Sequence, residues 1–266
     1  MANQFRTNYF SYKGINSEDY NYMLVSVGSD STGTFMNGLD KDIEEENGIG
    51  DIKNLIKVTN KYQDFQMQIM KVTSGGVLLP ISSDDMFFLG KWLFNSDKYQ
   101  ALSYDGLVVN CIFTKSETFL NTGLQGYLNV TVHCEPYAKS SIRIERVIVS
   151  DSKDLILTNK SNVGDEIPVD MEITILSGTE VTIQNKTTGK YFRVANILTD
   201  NQKHFYVHND GLRYIESMVD SDVNMLKLVD TTKKDWISLI YGKNRISILG
   251  NCEIIFKYQC KIQYGS

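Results

Sequence analysis

Among its 266 residues the chain has only three prolines, three histidines, four cysteines and two tryptophans. So few prolines argue against a linker protein of extended, disordered chain. No stretch approaches the roughly 20 apolar residues of a membrane-crossing helix. The best apolar cluster, residues 86–94, is short and is interrupted by Lys91. The opening Met-Ala-Asn-Gln-Phe-Arg lacks the basic stretch and apolar core of a secretory signal, so synthesis and folding in a cytoplasm are expected. None of Cys111, Cys134, Cys252 and Cys260 forms a C-x-x-C pair, and each lies in a strand-like apolar stretch. Buried free thiols are the expectation, with a Cys252–Cys260 disulfide left open.

Catalytic motifs are missing as well. There is no Gly-x-Ser-x-Gly elbow and no phosphate-binding glycine loop. His204 and His208 have a spacing that would serve a metal on a helix. Their segment reads as a strand, where a rise of about 3.3 Å per residue sets them about 13 Å apart, too far to share an ion. His133 has no evident partner. Asp84 and Asp85 read as helix-start charges, and Glu44, Glu45 and Glu46 as a solvated loop, rather than as acid–base pairs. The expectation is therefore no catalytic residue, no metal site, no cofactor and no enzyme.

What is present is ordinary for a globular protein: 42% hydrophobic and 22% charged residues, with Val, Ile, Thr, Tyr and Phe favouring strands. Length allows two domains. Residues 1–139 hold 11 Lys+Arg against 16 Asp+Glu, which is −5, whereas residues 140–266 hold 16 of each, which is 0. That asymmetry supports a boundary near 139, and neither half is basic enough for tight nucleic-acid binding.

Along the first half, residues 8–27 read as a hairpin-like start. Residues 28–51, rich in glycine and carrying Asp40, Asp42, Glu44, Glu45 and Glu46, read as a long loop or projecting arm. Phe65, Met67 and Ile69 alternate with glutamines, as in a half-buried strand. Ser82 or Ser83, followed by Asp84 and Asp85, opens one helix over 84–94, with Met86, Leu89 and Leu93 on one face. Tyr104-Asp105-Gly106-Leu107 signals a tight hairpin. Residues 126–134 alternate again, and Pro136 ends the sheet. The second half shows short strands with turns at Asn185-Lys-Thr-Thr-Gly189, Asn209-Asp-Gly211, Gly242-Lys-Asn244 and Gly250-Asn251, the spacing of an antiparallel sandwich. Residues 236–241 read as a buried strand with large apolar groups on both faces.

Three blocks of the first half resemble the distal tail protein family of long-tailed bacteriophages. They are Phe10-x-Tyr12-x-Gly14-Ile15-x-Ser17-x-Asp19-Tyr20, the central strand–helix–hairpin order ending Tyr104-Asp105-Gly106, and the closing Cys134-Glu-Pro136-Tyr137-Ala138. The second half resembles the galectin-like sandwich of many members, through Asn162-Val-Gly164, Val181-Thr-Ile-x-Asn185-x-Thr-x-Gly189 and Leu239-x-x-Gly242-x-Asn244-x-Ile246. The acidic arm finds no counterpart in that pattern.

The resemblance implies an α+β N-terminal domain, mostly β with one helix, over residues 1–139, and an all-β galectin-like antiparallel sandwich over 140–266. It further implies a ring, typically a hexamer, between tail tube protein and tail tip or hub protein in the virion. The second domain would then hold receptor-binding or fibre proteins. DNA would pass through such a ring without specific binding, and the acidic arm would suit a wall that repels phosphate. The other reading is a carbohydrate-binding protein whose sandwich stacks a sugar on Tyr191, Trp236 or Tyr241.

Overall fold

The computed structural model describes residues 8–28, 41–47, 53–60, 63–164, 166–211, 213–230 and 235–262. The described residues are mostly β, 58% in strands, with a single short α-helix among them. The chain forms two compact units. One holds the described residues through Ser140 together with Ile262; the other is Ser141–Lys261.

The first unit contains β1 (Phe10–Tyr12), β2 (Ile15–Asn16), β3 (Tyr22–Gly28), β4 (Lys41–Asn47), β5 (Lys53–Asn60), β6 (Gln63–Lys71), α1 (Ser83–Leu89), β7 (Gln100–Tyr104), β8 (Leu107–Leu120), β9 (Gly126–Cys134) and β10 (Ala138–Ser140). Its main sheet runs β2-β1-β7-β8-β9-β6-β3, and β10 also pairs with β8. The hairpins follow local chemistry. Asp105 and Gly106 take φ of 48° and 73°, the two left-handed positions that a two-residue turn with right-handed strand twist needs. Lys13 and Gly14, at 52° and 74°, do the same between β1 and β2.

The opening motif is a packing device. Phe10 and Tyr12 are buried, and Phe10 stacks on Trp92 with centroids 5.4 Å apart. The Trp92 indole donates to the Tyr12 carbonyl at 2.9 Å. Lys13 Nζ donates to the carbonyls of Trp92 and Asn95, at 3.0 and 2.8 Å, covering acceptors that the end of the helical segment leaves open. Tyr20 stacks on Phe88 at 4.5 Å, and Ser17 Oγ accepts from the Phe10 N–H at 3.0 Å.

Ser82 caps α1 in a reciprocal box with Asp85. The α-helix is shorter than the expected 84–94: it ends at Leu89 and widens into a π-type turn over Gly90–Phe94. Trp92 and Leu93, adjacent in sequence, are both buried there. His133, partnerless in sequence, faces Asp64 of the neighbouring strand at 2.5 Å.

The second unit contains β11 (Arg143–Val149), β12 (Ser152–Asn159), β13 (Ile167–Pro168), β14 (Asp170–Asn185), β15 (Tyr191–Val194), β16 (His204–His208), β17 (Tyr214–Ser217), β18 (Ser238–Leu239) and β19 (Gly242–Tyr258). The chain ends its described part in the short β20 (Lys261–Ile262), of which Ile262 belongs to the first unit and packs on that unit's core. The order is β11-β19-β14-β16-β17, with β12 also on β19 and β15 also on β14. Gly250-Asn251 is not the expected turn. Strand β19 continues through it, with Gly250 at φ 126° and so close to Glu180 that a Cβ would lie 2.9 Å from that carbonyl oxygen. The ladder to β14 loses register at the same point.

Residues 236–241 are also not a full strand; only Ser238–Leu239 pairs, with β13. Buried asparagines supplement that short pairing. The carbonyls of Ile237, Ser238, Leu239 and Ile240 accept, in turn, from Asn209 (2.6 Å), Asn185 (2.7 Å), Asn159 (3.0 Å) and Asn244 (2.8 Å). All four asparagines are buried. A buried carbonyl without a partner is costly, and the asparagines give each of these four a donor; the Ile237 carbonyl also accepts from the Val169 N–H at 3.2 Å. All four cysteines are free and buried.

Candidate functional site

The segment expected to be a long loop or projecting arm is not loop alone: it supplies β4 of an antiparallel ribbon with β5. Asp40 lies outside the described residues. Asp42, Glu44, Glu45 and Glu46 lie on β4 and are exposed. The physical reason for the correction is that Ile43 on β4 meets a strand-forming run, Leu55, Ile56 and Val58, on β5.

Side chains alternate across a strand, so Asp42, Glu44 and Glu46 share one face of the ribbon. Lys57 stands opposite Glu44 on that face. The other face carries Ile43 opposite Val58, then Glu45 opposite Leu55. Ile43, Leu55 and Val58 are 59, 62 and 44% exposed. No other described strand pairs with the ribbon. A two-stranded ribbon is marginal alone in water, and an open apolar face is the mark of an association surface.

A second open edge lies on β8. Strand β7 pairs only with residues 107–111 of β8, and among the described strands nothing pairs with that side of β8 beyond them. Residues 114–119 are exposed. The other side is bound to β9 as far as Leu120, where Phe119 stacks on Tyr127 at 5.1 Å. Gly126 permits that close approach: a Cβ there would sit 1.9 Å from the Phe119 carbonyl oxygen. Unpaired sheet edges are templates for another strand.

The sites expected in the second unit do not converge. Trp236 is half-buried against Phe192, with centroids 6.0 Å apart, and lines a cavity. Tyr191 and Tyr241 are not among that cavity's lining residues. Tyr241 is 71% exposed beside Gly242. His204 and His208 project from one strand to separate carboxylates, Glu172 at 3.2 Å and Glu216 at 2.7 Å. Among the described residues no cluster of His, Cys, Asp and Glu could hold a metal ion. Sequence reasoning missed the apolar face of the ribbon and the open edge of β8. Strict alternation in residues 53–60 would set Leu55 and Val58 on opposite faces; a β-bulge at Ile56 brings them to one face, so no local signal gave the first, and none gives the second.

Residues 5–136 match the family model described as phage tail protein N-terminal domain. A prophage-derived protein of SPbeta, uncharacterized protein YomH of Bacillus subtilis strain 168, is 24% identical over 180 residues, 65% of this chain and 68% of that protein. Among solved structures, the SPP1 Dit protein, described as a paradigm of the hub adsorption apparatus in phages infecting Gram-positive bacteria, superposes with TM-score 0.64. The match has 12% identity and covers 94% of this chain and 98% of that one. A chain of the phage P2 baseplate in its activated conformation with calcium gives 0.53 at 8% identity, over 95 and 97% of the two chains. At those identities the two structures establish the fold.

Proposed function

We propose, from the premise that residues 5–136 belong to the phage tail protein N-terminal domain family, that this chain builds a homo-oligomeric ring at the distal end of a phage tail. The chain is a structural protein of the tail and baseplate hub type. Its first unit would form the ring, a hexamer by analogy with the distal tail family, between tail tube protein and tip or hub protein. The second unit, galectin-like in this reading, would dock receptor-binding or fibre proteins.

The observation that carries the ring is the ribbon of β4 and β5. Ile43, Leu55 and Val58 lie open on one face, and a neighbouring copy is the partner that a ring supplies to every subunit alike. The same packing turns Asp42, Glu44 and Glu46 the other way. If the ribbons lie along the bore, that acidic face meets the passing DNA and repels its phosphates, so transit needs no specific binding.

Mass measurement and negative-stain microscopy test the reading. Rings are expected from the intact chain, and Leu55→Asp with Val58→Asp should shift them to monomer while circular dichroism stays unchanged. A chain that remains monomeric at high concentration, with no rings on the grid, overturns it.

A further inference from the structure

The cavity beside Trp236 has a volume of about 440 Å³, within the roughly 300–1,000 Å³ of small-molecule sites. Its lining is not that of a packing defect. Glu166, Lys190, Arg213 and Asp235 supply two negative and two positive side chains, and Ser238 adds a hydroxyl. Lys190 pairs with Glu166, and both reach Ser238 Oγ, the lysine at 2.6 Å. Asp235 is fixed by its neighbour strand: its carboxylate accepts from the Tyr191 N–H at 3.3 Å. Trp236 also lines the cavity, its indole held against Phe192 with centroids 6.0 Å apart.

The wall-bearing segment is held in place from behind. The carbonyls of Ile237, Ser238 and Leu239 are each bound by a buried asparagine from a different part of the unit, Asn209, Asn185 and Asn159. Fixed supports of this kind let a site meet a ligand without first ordering itself.

We infer that this cavity is a binding site for a neutral saccharide, with Trp236 stacking on the sugar's C–H face and Glu166, Lys190, Arg213, Asp235 and Ser238 addressing its hydroxyls. The charge balance selects the ligand class. A site for phosphate or sulfate carries an excess of cationic donors, and one for a cation an excess of carboxylates; this one has two of each. Carboxylates accept from hydroxyls, ammonium and guanidinium groups donate to them, and a vicinal diol presents both needs side by side. An aromatic face with a polar handle completes the match to a pyranose. The site is built from the second unit's residues and the ribbon from the first unit's, so the two readings are tested independently.

Titration of the full chain with D-glucose, D-galactose and N-acetyl-D-glucosamine, each also as a short oligosaccharide, tests the inference, with inorganic phosphate as the charged comparison. Trp92, the other tryptophan, is 3% exposed, so a ligand-dependent fluorescence change reports on Trp236. A saturable change is expected with at least one sugar in the millimolar range typical of weak complexes, and none with phosphate. Glu166→Gln and Asp235→Ala should each weaken binding by tenfold or more by calorimetry, with melting and ring mass unchanged. Absence of saturation with every sugar, saturation by phosphate, or undiminished affinity in both variants overturns the assignment. None of these outcomes alters the ring measurement.

Discussion

The side-chain amide of Asn185 donates to Asn244 Oδ1 at 3.2 Å inside the second unit, and through that bond two of the four ladder asparagines support each other. Asn185 also holds the Ser238 carbonyl and accepts from the Thr187 N–H at 3.0 Å. Asn244 holds the Ile240 and Gly242 carbonyls. Truncating either one strands several buried groups at once. Asn185→Ala and Asn244→Ala should each cost about 2–4 kcal/mol in urea unfolding, since each unsatisfied buried group costs about 1–3. The double variant should cost less than the sum of the two, because their shared bond is lost only once.

Trp92 combines a ring stack on Phe10 with its hydrogen bond to the Tyr12 carbonyl. Trp92→Phe keeps an aromatic ring and loses the bond, so a loss of about 1–2 kcal/mol is expected. Trp92→Ala also leaves a cavity, and about 3–5 kcal/mol is expected. Equal losses in thermal unfolding would show that the indole N–H, not the packing, dominates.

Asp85 brings a pH dependence. Burial pushes its carboxyl up, but hydrogen bonds from Lys71, from the Ser82 N–H and hydroxyl, and from Tyr22 outweigh that and hold it at about 2 instead of 3.8. Lys71 Nζ meets both carboxylate oxygens, at 2.7 and 2.8 Å. The folded state therefore favours the ionised form. The stabilisation, about 2 kcal/mol at most, is fully present above about pH 5 and is lost as pH falls through 3.8 toward 2. Unfolding curves between pH 6 and 2 should show this step, and Asp85→Asn should remove it.

Reversing the acidic face, with Asp42, Glu44 and Glu46 all changed to lysine, should leave ring mass unchanged, because the apolar face is intact. Reversed rings should retain DNA on a filter at low salt and release it as salt rises, whereas the unmodified rings should not retain it. Failure of the reversed rings to hold DNA would separate the ribbon from the bore.

The cysteines should be silent in the native protein. Burial pushes the Cys111 thiol up, with Cys134 opposite it in the ladder adding to the effect, and pushes Cys252 up to about 11. Alkylation at pH 8 should label none of the four until denaturant is added.

Much of this was legible in the chain itself because it is local chemistry. Ser82 with Asp85 marked the helix start, Asp105-Gly106 demanded a two-residue hairpin, and the alternation in residues 126–134 gave a strand with one buried face. The blocks from Phe10 to Tyr20 and from Cys134 to Ala138 pointed to the distal tail family; residues 5–136 match the phage tail protein N-terminal domain model, and the fold is that of the SPP1 Dit protein. Residues 28–51 read as a long loop or projecting arm; the strand pairing of β4 was not legible there, because its carboxylates obscured the alternation of Ile43 with Asp42 and Glu44. A strand exposed on both faces carries no burial pattern to read.

Composition, periodicity and turn residues thus determined the class of the protein: two strand-rich parts and one capped helix. Tertiary structure decided everything that depends on distant residues meeting. It placed Trp92 on Tyr12 across 80 positions, brought four asparagines drawn from Asn159 to Asn244 to one short segment, and gathered Glu166, Lys190 and Asp235 around Trp236. Hydrogen bonds and cavities have no period along the chain. They exist only once the backbone has brought their partners together.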